Sequence, residues 1–153
     1  MKCKNCKSKK LEKILHLGSQ PISSVFHNKK KNNLKKYPLN LFKCRSCDLI
    51  QFSKLAPLKD MYGSTYGYRT SLSKYMINHM KEKYLKLNKE SFLKKNSSIL
   101  DIGSNDGTFL NFFANNRNRK LKLFGMDPSS FKFKNNYNKK INLISDYFSK
   151  KKL

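Results

Sequence analysis

The alternation of apolar and polar positions divides the chain into two stretches of different character. In the first sixty residues the apolar positions gather into short strand-like pieces at Ile14–Leu17, Leu39–Lys43 and Leu49–Phe52. The polar run Lys29–Lys36 between the first two is predicted to be a loop. Met61–Tyr68, reading Met-Tyr-Gly-Ser-Thr-Tyr-Gly-Tyr, forms an aromatic-glycine connector. From about Thr70 to Asn88, Leu72, Tyr75, Met76, Met80, Tyr84 and Leu87 recur at helical spacing, with His79 among them. Asn96-Ser97-Ser98 ends that pattern. Beyond it the period switches back and forth: a strand at Ile99–Ile102, a helix at about Thr108–Asn115 and a strand at Leu121–Met126. A helical stretch at about Ser129–Asn136 and a last strand at Ile141–Ser145 follow. Strands alternating with helices predict an α/β architecture, a parallel sheet joined by right-handed crossovers.

Composition changes this picture little. A hydrophobic fraction of 38%, with 11 Phe and 8 Tyr, is enough to build a core. No apolar run approaches the roughly 20 residues that span a bilayer, so no membrane partner is expected. The start, Met-Lys-Cys-Lys-Asn-Cys, has no apolar core of a secretion signal, which makes the cytoplasm the expected location. The net charge of +25 invites a nucleic-acid reading. Against it, Lys supplies 30 of the 34 basic residues, Arg only 4, and Asn occurs 17 times. The guanidinium forks that read phosphates and bases are scarce, and the excess is spread evenly. A Lys/Asn compositional bias explains the charge better than a polyanionic partner, so no nucleic-acid partner is expected. The acids are more telling. Of six after residue 60, four are Asp101, Asp106, Asp127 and Asp146, all beside predicted strand ends.

All four cysteines lie in the first stretch, as Cys3-x-x-Cys6 and Cys44-x-x-Cys47. Thiolates flanking a two-residue turn can face one ion, and two such turns complete a tetrahedron. Two disulfides or a redox Cys-x-x-Cys are the competing chemistries. The missing export signal weighs against the first. Four sulfurs leave no open coordination position, so the favoured reading is a structural Zn²⁺ holding a segment too small for its own core. Residues 1–60 are accordingly expected to form a small four-cysteine zinc-binding domain, 61–96 a connector and helix, and 97–153 a partial α/β domain.

The second stretch carries Ile99-Leu100-Asp101-Ile102-Gly103-Ser104-Asn105-Asp106-Gly107-Thr108. A strand delivers an acid to a glycine-broken turn that opens a helix. Such a turn is expected to bring backbone N–H groups up to a ligand. Asp101 is placed to accept hydrogen bonds from a polar or cationic part of that ligand. Asp127, ending the next strand, is placed for two ribose hydroxyls, and Asp146, after the third, for an adenine amino group. The dinucleotide fingerprint G-x-G-x-x-G is not met, which disfavours NAD and FAD. The form acid-x-Gly-x-x-x-Gly instead resembles the first motif of class I S-adenosylmethionine methyltransferases, with Asn105 where many of them have a glycine.

Taken in order, Cys3-x-x-Cys6, Leu17-Gly18-Ser19-Gln20-Pro21, Cys44-x-x-Cys47, Tyr66-Gly67-Tyr68-Arg69-Thr70-Ser71-Leu72 and Leu100–Gly107 resemble the nucleotide-sugar C-methyltransferases that carry an N-terminal zinc-binding domain. The resemblance implies a zinc domain followed by the N-terminal half of a Rossmann-like sheet, with S-adenosylmethionine as cofactor and a nucleotide-linked keto-sugar as substrate. It implies a cofactor site of Asp101, Gly103, Ser104, Asn105, Gly107 and Asp127. Tyr66, Tyr68 and His79 become the residues expected to face the substrate; the bland readings are a packed connector and a satisfied core histidine. It further implies about seven strands in the order 3-2-1-4-5-7-6, of which this chain holds the first three. The polypeptide alone is therefore expected not to methylate. The main base and the remaining strands would come from a missing C-terminal part, for instance a separately encoded half. A four-cysteine module binding nucleic acid or protein, and an α/β enzyme using another nucleotide, remain the alternatives.

Overall fold

The computed structural model describes residues 1–23, 33–63, 66–91, 93–116, 120–149 and 151. It is a mixed α/β structure that separates into two compact units, Met1–Gly67 and Tyr68–Leu153. Part of the loop predicted at Lys29–Lys36 lies outside the described residues, as do Ser64 and Thr65 of the predicted connector.

The first unit is an antiparallel sheet of β1 (Leu11–Pro21), β2 (Lys36–Cys44) and β3 (Ile50–Phe52), in that order. The strands at the heart of this sheet run well past the apolar cores that predicted them. Hydrogen bonding between β1 and β2 carries pairing from Leu11 opposite Cys44 to Pro21 opposite Lys36. Register shifts between Lys13 and Leu15, and between His16 and Ser19, bulge β1 twice. Gly18, with φ of 68°, lies inside the second. A short helix, α1 (Leu58–Tyr62), follows β3 and buries none of its residues.

The second unit contains a Rossmann-like parallel sheet of β4 (Ser98–Ile102), β5 (Lys122–Met126) and β6 (Ile141–Ile144), ordered β4-β5-β6. Helix α2 (Lys74–Lys89) precedes the sheet and α3 (Thr108–Ala114) connects β4 to β5. The core is Leu93, Leu110, Phe113, Ala114, Leu123, Tyr137 and Ile141. Phe113 meets Tyr84 of α2 and Phe109 edge-on, with ring centroids 4.9 and 5.3 Å apart. Each such aromatic pair adds about 0.5–1.5 kcal/mol beyond the area it buries.

Two predicted helices differ from expectation. The helix predicted from Thr70 begins at Lys74, after a 3₁₀ turn at Thr70–Leu72 and a cap in which Ser73 Oγ accepts from Met76 N–H. Asn105 and Asp106 take the N–H groups of Thr70 and Ser71, so these residues are held in a turn of their own. The helical stretch predicted over Ser129–Asn136 is 3₁₀ over Ser130–Asn136 and kinks at Phe133.

Candidate metal centre and ligand cleft

Each cysteine pair sits on the same local structure. In the first, Cys3 N–H donates to Ser8 O at 2.8 Å and Lys7 N–H to Cys3 O at 3.1 Å. In the second, Cys44 N–H donates to Leu49 O and Asp48 N–H to Cys44 O, both at 2.9 Å. The residue after the second cysteine is left-handed in both, Lys7 at φ 63° and Asp48 at 56°. That conformation costs a non-glycine residue about 1 kcal/mol or more, and it bends each turn so that both sulfurs face one point. Gln51 of β3 locks the first turn to the sheet: its side chain accepts from Lys4 N–H at 2.7 Å and donates to Lys2 O. Ser46 Oγ and Ser8 Oγ, 2.9 Å apart, tie one turn to the other.

The four sulfurs lie within 4.8 Å of one another, with Cys3–Cys47 and Cys6–Cys44 each at 3.6 Å. A tetrahedron with Zn–S bonds of about 2.3 Å has edges of about 3.8 Å, so the set fits zinc. A disulfide needs about 2.05 Å, and all four cysteines are free. Acidity within the cluster is uneven. The Leu49 N–H holds the Cys47 thiol down at about 6 against its desolvation. At Cys6 the Ser8 N–H pulls down, but desolvation and the three neighbouring cysteines prevail and push the thiol up to about 12. Bringing all four sulfurs to the thiolate form at such spacing calls for a cation among them.

In the second unit, Asp101, Gly103 and Ser104 line a cleft of about 170 Å³ with Thr70, Met80, Lys83, Thr108 and Phe109. Burial pushes the Asp101 carboxyl up; the charge of Asp127 adds to this and Lys83 opposes it. Among the described residues no hydrogen bond reaches that carboxylate. Lys83 is the cation that faces it across the cleft without bonding to it.

The loop after β4 departs from the expected cradle of N–H groups. Gly103 N–H donates to Met126 O at 2.8 Å, Asn105 N–H to Asp127 Oδ2 at 3.0 Å and Gly107 N–H to Ser104 O at 2.9 Å. Thr108 N–H is taken by Asp106 Oδ1 at 3.2 Å. Left-handed φ values at Gly103, Asn105 and Gly107 curl the loop back on itself, turning its donors inward. These four backbone N–H groups are therefore not free for an anion.

The remaining predicted site residues have supporting positions. Asp127 is buried; its carboxylate accepts from Asn105 N–H and from Ser129 N–H and Oγ–H at 2.7 and 2.6 Å. Asn105 Oδ1 accepts from Thr70 N–H at 2.9 Å and its Nδ2 donates to Tyr68 O at 3.1 Å. Gly107 faces the Tyr137 ring, where a Cβ would come within 2.8 Å. Asp146 follows β6 and accepts from Tyr147 N–H at 2.7 Å. His79 lies half-buried on α2, one residue before cleft-lining Met80. The exposed Tyr68 belongs to the second unit, whereas Tyr66 belongs to the first and packs edge-on against Tyr62.

Sequence reasoning noted Asp106 beside a strand end and Thr70 within a motif but gave neither a role, and it missed Lys83 and Tyr137. Lys83 was within reach, three residues after Met80 and so on the same helix face. Asp106 is fully buried; against that burial, bonds from Ser71 and Thr108 hold its carboxyl below the usual range. Its Oδ2 also lies 3.5 Å from Arg69 Nε, whose guanidinium rests over the Phe133 ring.

Residues 3–62 match the family described as "Putative zinc binding domain" (Methyltransf_13), a zinc module associated with methyltransferases. No curated protein matches the chain. No helix among the described residues is long and apolar enough to cross a membrane. The chain thus carries a methyltransferase-associated zinc module at its N-terminus, followed by a Rossmann-like parallel sheet.

Proposed function

We propose that this chain is the zinc module and cofactor-binding half of an S-adenosylmethionine-dependent methyltransferase resembling the nucleotide-sugar C-methyltransferases. The acceptor would be the carbon next to the ketone of a nucleotide-linked 4-keto-6-deoxy sugar. One observation carries the reading: Asp101, a carboxylate that accepts no hydrogen bond among the described residues, lies in a cleft beside a loop whose Gly103, Asn105, Gly107 and Thr108 N–H groups are already bonded. That arrangement favours a cationic ligand over a diphosphate, and the adjoining module is one associated with methyltransferases.

Bound S-adenosylmethionine supplies an electrophilic methyl on a sulfonium centre. Asp101 would attract the cationic portion of that ligand, and Gly103, open on its Cα side, would let it lie close. Asp127 would hold the loop through Asn105 N–H while keeping lone pairs for ribose hydroxyls; Asp146 would meet the adenine edge. Deprotonating carbon next to a ketone calls for a general base. By the resemblance, Tyr68 and His79 of the second unit would be candidates to meet the acceptor, as would Tyr66 of the first. The outer edge of β4 pairs with no strand among the described residues, so a polypeptide adding strands there is the partner this reading requires.

Calorimetric titration of the zinc-loaded chain with S-adenosylhomocysteine tests it. Saturable binding, weakened at least about tenfold by Asp101→Asn, is expected, since a charge-assisted hydrogen bond is worth about 1.5–3 kcal/mol. Binding of NADH or ADP in its place would overturn the reading. So would steeply salt-dependent binding of DNA or RNA alone.

A further inference from the structure

The Tyr137 hydroxyl lies 2.9 Å from Asn105 O and 2.9 Å from Ser104 Oγ. It has one proton, and a carbonyl can only accept, so that proton goes to Asn105 O. Ser104 must then donate its own proton to Tyr137. The chain of bonds runs one way: Ser104 to Tyr137 to the Asn105 carbonyl. It is buried throughout, with Ser104 5% and Tyr137 9% exposed. Two glycines make room for it. A Cβ on Gly107 would strike the Tyr137 ring at 2.8 Å, and one on Gly125 would come within 2.9 Å of Ser104 Oγ.

We propose that Tyr137 is a positioning residue that fixes the Ser104 hydroxyl as a hydrogen-bond acceptor toward the cleft, so that Ser104 and Asp101 together select an ammonium-bearing ligand. With its proton committed, Ser104 Oγ has only lone pairs left, and Asp101 beside it is likewise an acceptor. The neighbouring N–H groups of Gly103, Asn105 and Gly107 are already bonded, to Met126 O, the Asp127 carboxylate and Ser104 O. Lys83 is the cleft's own ammonium and acts on Asp101; the Ser104 hydroxyl and the loop backbone add no free donor beside it. The proposal deepens the S-adenosyl reading and rests on it for its probe.

The test compares S-adenosylhomocysteine with its deaminated analogue, in which hydrogen replaces the α-amino group. The unaltered chain should prefer the amine by about 10- to 100-fold, the range for a charge-assisted hydrogen bond. Tyr137→Phe keeps the ring behind Gly107 and Gly125 but frees the Ser104 proton, and should cut that preference at least fivefold. Ser104→Ala should do the same, and the double variant no more, because both act through one bond. A purely structural role would weaken both ligands equally and leave the ratio unchanged, which would overturn the proposal. If Tyr137→Phe fails to fold by circular dichroism, Ser104→Ala carries the comparison. Failure of the unaltered chain to bind either ligand would overturn the S-adenosyl reading itself; binding with an unchanged ratio in the variants would overturn only the role of Tyr137.

Discussion

Adding one methyl group at Gly107 should cost far more than adding it at Gly103, although both glycines flank the same loop. Both are left-handed, at φ 79° and 81°. An alanine at either therefore bears the backbone strain, about 1–2 kcal/mol. At Gly103 that is the whole penalty, because a Cβ there meets nothing within 4 Å. At Gly107 the new carbon would lie 2.8–2.9 Å from three atoms of the Tyr137 ring. The ring cannot retreat freely, since its hydroxyl is tied to Ser104 and Asn105. Overpacking a filled core costs a further 1–3 kcal/mol or so, giving about 2–5 kcal/mol for Gly107→Ala. For a unit of this size each kcal/mol moves the midpoint by about 4–8 °C. Thermal unfolding followed by circular dichroism should show Gly103→Ala melting several degrees low and Gly107→Ala at least about 4 °C lower still. Equal shifts would refute the claim that Tyr137 closes the loop from behind.

Three other outcomes follow. The chain should retain one zinc per molecule after dialysis, read by metal analysis, and Cys44→Ser should abolish it, because three sulfurs no longer close the site. Asp101→Asn should raise stability at neutral pH while losing ligand. The native carboxyl titrates above its unfolded value, so the native state holds the extra proton between the two. Stability therefore falls as pH rises through that window and stays lower above it; melting curves with pH should show the variant's advantage vanish in acid. Asp106→Asn should do the reverse. Its carboxyl titrates below the unfolded value, so its contribution is present above about pH 4 and fades as pH falls through the native value.

Much of this was legible in the sequence where the signal was local. Cysteine spacing announced the two metal-facing turns. The change of period at Asn96–Ser98, with an acid and glycines after Ile99–Ile102, announced a strand, a turn and a helix. What stayed hidden depended on partners far away in sequence. The break at Ser73 exists because Asn105 and Asp106, over thirty residues later, hold Thr70 and Ser71. The inward donors of the loop depend on Met126, at the end of the neighbouring strand, and on Asp127 just after it. Lys7 and Asp48 adopt a conformation that glycine would have advertised and they do not. Helix α1 buries nothing, so no apolar stripe marked it.

The twice-bulged pairing of β1 with β2 has a consequence for how the first unit finds its fold. One surplus residue inverts which face each side chain occupies, and the second restores it. Leu11 stands opposite Cys44, and Arg45 N–H reaches Lys10 O, so the metal-bearing turns lie at the very end of this hairpin. A hairpin slipped by one residue would carry Cys3 and Cys44 apart and forfeit the ion. Zinc thereby works as a gauge of alignment as well as a clamp, rewarding the single pairing that brings four sulfurs together.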